Sequence, residues 1–167
     1  MKVNRVRASF LLLASILLGG ASVEKSSDTI VEEKATPPIK LSKKGEWVLE
    51  VNRFGGLSPR IHHFILSSDA QFTVLSSSPV TKSNVSGPVF RKIAQMVPAI
   101  FDVKISTDAF SLNCMDCIKT TMRVWQLRSD GKTALLEQKW DDGTVGKVPG
   151  EIIKLYNEAV NLQKVRE

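Results

Sequence analysis

Cysteine and histidine are scarce in this sequence, with two of each among 167 residues. That scarcity removes several chemistries. A structural zinc site takes four ligands, usually as two paired sets. Cys114 and Cys117 supply one set, and the adjacent His62 and His63 point to opposite faces of a strand, so at most one of them could join it. A c-type haem needs His directly after the second cysteine, where Ile118 stands. No serine sits in a GxSxG elbow, and the one glycine-rich stretch, "FGGLS", lacks the GK[ST] ending of a phosphate loop. The βαβ alternation of nucleotide-binding folds is also missing, as is any repeat at a solenoid period. These absences predict a chain without catalytic residues, cofactor or metal, that is, not an enzyme.

Long apolar runs are lacking too. The run from Ala8 to Leu18 falls well short of the roughly 20 residues that span a bilayer. It follows "MKVNRVR", which carries three basic residues and no acid, and precedes small residues at Gly19 and Ala21. This pattern predicts a signal peptide over 1–21, cleaved near Ala21. It implies a secreted or periplasmic protein with no stable membrane span after cleavage. Without the leader, 20 basic residues stand against 17 acidic ones, a net of +3. The charges are interleaved, so no nucleic-acid surface is expected.

Residues 22–45 contain few large apolar side chains, a Pro-Pro pair and mixed charge, and read as a flexible spacer. A single folded domain is expected over 46–164. Within it, "EWVLEVNR" alternates, with Trp47, Leu49 and Val51 on one face. The Gly55-Gly56 turn leads to a second strand over Arg60 to Ser68 and a third over Asp69 to Ser77. "SPVTKSNVSGP" reads as a loop. Pro88 opens a helix carrying Val89, Ile93, Met96 and Val97, which Pro98 is expected to end. From Ile118 an alternating strand runs to Arg128, "SDGK" makes a hairpin turn, and "TALLEQKWDD" returns. A last helix places Ile152, Leu155, Tyr156, Ala159 and Leu162 on one stripe. The predicted fold is α+β: an antiparallel sheet in βββ-α-ββ-α order, with the helices packed on one face.

The CxxC pair precedes a strand, whereas thioredoxin-type thiols open a helix. In an exported chain a local Cys114–Cys117 disulfide is the favoured reading, with thiol–disulfide exchange as an alternative. Of His62 and His63, one is expected to pack and the other to face solvent. Asp141 and Asp142 read as a capped turn rather than a catalytic pair.

Three stretches together resemble a known family. They are the strand running into a double glycine, "VLEVNRFGGLSPR"; the Asp leading into an alternating strand, "DCIKTTMRVW"; and the hairpin, acidic turn, proline and terminal helix of "SDGK", "WDDGTV" and "VPGEIIKLYNEAV". Their order and spacing resemble the emfourins, the protealysin-associated inhibitor family, here as an exported variant containing cysteines. The resemblance implies a small non-catalytic domain that inhibits thermolysin-like metallopeptidases. Its interaction loop would comprise Phe54, Gly55, Gly56, Leu57 and Ser58, with Phe54 and Leu57 as apolar anchors. The alternative is a cell-envelope binding module displayed by the spacer.

Overall fold

The computed structural model describes residues 35–56, 62–106, 109 and 116–164. The signal-peptide expectation, Leu57, Ser58 and Cys114 lie outside them. Strands β1 (Trp47–Gly55), β2 (His62–Ser67), β3 (Gln71–Val74) and β4 (Thr81–Asn84) come first. Helix α1 (Pro88–Ile100) follows, then β5 (Ile118–Leu127), β6 (Thr133–Asp141), a 3-10 turn over Val145–Lys147 and helix α2 (Gly150–Lys164). All six strands join one antiparallel sheet in the order β4-β3-β2-β1-β5-β6.

The alternation read from β1 decides which face is covered. Trp47, Leu49 and Val51 lie with Phe64, Leu66, Phe72, Met122, Val124, Leu136 and Trp140 in one buried cluster. Ile93, Val97 and Ile100 of α1 and Ile152, Leu155, Ala159 and Leu162 of α2 complete it, so both helices pack on this face. The T-shaped contact of Trp140 with Tyr156, with centroids 5.2 Å apart, fixes α2 over β6. Trp47 and Phe90, 6.2 Å apart, do the same for α1 over β1.

The observed order has a fourth strand before α1, where the sequence predicts a loop. β4 pairs along the full length of β3, from Gln71↔Asn84 to Val74↔Thr81. Thr81, Lys82 and Asn84 are exposed, so no apolar alternation marks this strand. A short polar edge bearing a lysine is how a sheet end avoids further pairing. Val85, buried directly after it, donates its N–H to the Ala70 carbonyl at 2.8 Å and anchors the strand.

Helix α1 also continues past the predicted stop at Val97. Pro98 lies inside it, and Ile100 is buried at its end. In the last turn proline deletes one hydrogen bond, about 1 kcal/mol net, whereas burying an isoleucine contributes roughly 1.5–3 kcal/mol.

The sheet's second face is not bare. Val48, Ile65 and Trp125 form a small buried cluster there, against which Ala35, Ile39, Leu41, Leu75 and Leu135 pack. The Trp125 indole Nε1 donates to the Ala35 carbonyl at 2.8 Å. Residues 35–41 therefore lie as a strap across the second face, although the whole of 22–45 reads as spacer in sequence. After the strap the Glu46 carboxylate accepts the N–H groups of Ser42 (2.6 Å) and Lys43 (2.9 Å). These two backbone bonds hold its pKa below the ordinary carboxylate value.

Candidate functional site

The candidate loop leaves the sheet at the end of β1 opposite the strap. Phe54 pairs with Lys119 and Gly55 with Ile118. By alternation Phe54 belongs to the second face, and it is 42% exposed, one of few large apolar side chains so placed among the described residues. An exposed aromatic at a strand end contributes little to the core.

The two glycines are fixed by what lies beside them. Gly55 has φ +102°, and a Cβ there would meet the Cys117 carbonyl oxygen at 2.7 Å. Gly56 has φ +82°, and its Cβ would stand 3.1 Å from Ile118 Cγ1. A side chain is strained at both positions. The double glycine thus does more than turn the chain: it lets β1 approach the segment Asp116–Ile118 closely. The end of β1 and the segment leading into β5 are thereby brought into contact. Asp116 is exposed, and Cys117 is not a free thiol.

Around this end the helix-side groups are polar. Arg53 reaches Asp142 at 3.5 Å. Tyr156 bonds the Thr120 side chain, and burial, the largest influence on it, pushes its phenol above the ordinary value. His62 Nδ1 lies 3.1 Å from Gln163 Nε2 of α2, and His63 Nε2 lies 2.7 Å from Glu50 Oε1 on the second face. The histidines do point to opposite faces, but both are half-buried and both have partners. Asp141 is buried and accepts the Gly143 N–H at 2.9 Å, while the Thr144 N–H donates to the Asp141 carbonyl at 3.0 Å. This is the capped turn expected from "WDDGT", and Asp142 leaves it to meet Arg53. Among the described residues no group of three or more His, Cys, Asp or Glu is arranged to hold a metal ion.

Between the strap and Phe54, the second face carries an ionic row that the sequence reading missed. Glu50, Arg123 and Glu137 stand opposite one another on β1, β5 and β6. Arg123 contacts Glu50 at 3.4 Å through its guanidinium and donates Nε to Glu137. Lys139 reaches Glu137 at 2.7 Å, and His63 closes the row on Glu50. Burial raises the Glu137 carboxyl, but the Lys139 and Arg123 bonds outweigh it and hold the pKa below the usual value. Burial likewise works against the Arg123 charge, yet Glu137 and Glu50 raise its pKa further. A signal existed in the strands: Glu50 and Arg123 each stand between two apolar residues, and Glu137 and Lys139 repeat at the same spacing of two.

No family model, curated protein or solved structure matches this chain. No helix among the described residues is long and apolar enough to cross a membrane. The second face thus has three zones along its strands: an apolar end under the strap, an ionic middle, and an open end at Phe54.

Proposed function

We propose that this chain is an exported, non-catalytic interaction domain that presents the loop beginning at Phe54 to a thermolysin-like metallopeptidase. One observation carries the reading: a 42%-exposed phenylalanine stands directly before two glycines whose left-handed backbone is packed against Cys117 and Ile118. A loop whose base is held in this way enters a cleft with little ordering entropy left to lose. Phe54 supplies an apolar anchor of the kind that dominates binding energy when it is buried in a pocket. The emfourin resemblance of "VLEVNRFGGLSPR" supports the same loop, and Leu57 is proposed as a second anchor. A Cys114–Cys117 bridge belongs to this reading as a local staple, since it would stiffen the segment against which Gly55 rests.

The test is inhibition. Purified protein in equimolar amount should slow peptide hydrolysis by a thermolysin-like peptidase. Phe54→Ala should weaken inhibition about 30-fold or more, the loss expected of a hot-spot aromatic, with the thermal midpoint unchanged. Undiminished hydrolysis by several such enzymes at large molar excess of the protein would overturn the proposal.

A further inference from the structure

The two edges of the sheet are built differently. β4 is short, polar and exposed. β6 runs for nine residues, contains no proline, and carries Leu135 and Leu136 in its first half. The phase of its ladder follows from the hairpin turn, where the Arg128 N–H donates to the Lys132 carbonyl at 2.9 Å. Bonded pairs alternate along an antiparallel ladder. Ala134, Leu136, Gln138 and Trp140 therefore turn their backbone groups toward β5, while Thr133, Leu135, Glu137, Lys139 and Asp141 turn theirs outward.

The far half of that outer edge is already occupied. The Asp141 N–H donates to the Ala109 carbonyl at 3.2 Å. The Gln138 side chain, 1% exposed, binds both backbone groups of Ser106 at 2.8 Å and donates to the Lys139 carbonyl at 2.8 Å. Between this clamp and the turn at Ser129–Gly131, the outward backbone groups of Thr133, Leu135 and Glu137 have no hydrogen-bond partner among the described residues. An open edge of this kind is a template for another strand.

We propose that this edge pairs with the same edge of a second copy of the chain, β6 against β6 in antiparallel register centred on Leu135. The open segment argues for a copy because it is symmetric about that residue. Centring on Leu135 sets Thr133 opposite Glu137 of the second copy and uses the outward backbone groups of Thr133, Leu135 and Glu137 on both edges. It also opposes no like charges: Lys132 faces Gln138, Glu137 faces Thr133, and Lys139 faces Gly131. Centring on Glu137 would set two carboxylates against each other, which is destabilising in a cross-strand pair. Centring on Thr133 would pair Leu135 with the turn. In the Leu135 register the two leucines meet on the second face beside the Trp125 cluster, and the two six-stranded sheets become one. So short a contact makes a weak dimer that depends on concentration. It leaves Phe54, two strands inward on β1, free in each copy, so it stands or falls independently of the inhibitor reading.

Sedimentation velocity over a concentration series tests it. The expected result is a rise from the monomer mass toward twice that mass. Leu135→Pro removes an outward N–H and none that β5 uses, and it should weaken dimerisation at least tenfold. Amide exchange of the unaltered protein provides a second measurement that does not depend on the variant folding. Protection at Thr133, Leu135 and Glu137 should grow with concentration, while protection at Ala134 and Leu136 stays constant. A monomer at every concentration, or a dimer in which the Leu135 amide exchanges as in the monomer, would overturn the proposal.

Discussion

Gly55 and Cys117 approach so closely that a methyl group on Gly55 would stand 2.7 Å from the Cys117 carbonyl oxygen. Gly55→Ala therefore combines a left-handed φ with a clash against backbone, which has little room to yield. The expected loss is about 2–3 kcal/mol, in line with strained positions elsewhere. Gly45→Ala is the control, because φ is +84° there but nothing lies within 4 Å of the added carbon. Its cost should be about 1 kcal/mol from the backbone conformation alone. Urea denaturation of the two variants separates the effects, and equal losses would show that the Cys117 contact is unimportant.

Trp125 ties the strap to the sheet. Trp125→Phe keeps most of the buried ring but deletes the indole N–H that Ala35 accepts, at a cost of about 1 kcal/mol. The loss should concentrate on residues 35–41, so limited proteolysis should cut there several times faster while the core stays intact. Trp125→Ala empties the cluster and should cost about 3–5 kcal/mol in the global transition. Unchanged cleavage of Trp125→Phe would mean the strap is held by Ile39 and Leu41 without help from the indole.

The ionic row should leave a pH signature. Glu137 has a folded pKa below its ordinary value of 4.5. Its contribution is therefore fully present above that value and is lost as pH falls through the lower, folded pKa. Glu137→Gln should reduce stability at neutral pH by about 1 kcal/mol, since the partners are partly exposed and solvent screens them. The difference from the unaltered protein should shrink toward zero in strong acid, where both carry a neutral side chain. Denaturation midpoints measured at pH 7 and below pH 4 check this, and a gap that does not change with pH would rule it out.

Much of the fold was readable because its two periodicities are clean. The alternation at Trp47, Leu49 and Val51 and the stripe of Ile152, Leu155 and Ala159 each marked residues of the buried cluster, and the alternation from Ile118 marked a strand. Sequence pattern failed where burial was absent or came from elsewhere. β4 has no apolar side to show, so its pairing with β3 could not register in its own residues. The strap has only Ile39 and Leu41 as apolar cues in a polar segment, and what fixes it is Trp125, ninety residues away. The contact between Gly55 and Cys117 is similar: each motif was visible, but their adjacency depends on the register of β1 with β5, which neither motif states. Leu57 and Ser58, named with Phe54, lie outside the described residues.

The strap also gives the molecule a direction. Ala35 reaches the sheet at Trp125, opposite Val48, whereas Phe54 pairs with Lys119, six residues earlier in β5 and about 20 Å away at strand rise. Helix α2 runs the other way and brings Gln163 to His62, next to the Phe54 end. A tether attached upstream of Ala35 would hold the domain by the end remote from Phe54. One attached after α2 would hold it by the same end. Immobilising the domain at Ala35 or at the end of α2 would thus present opposite poles to solution.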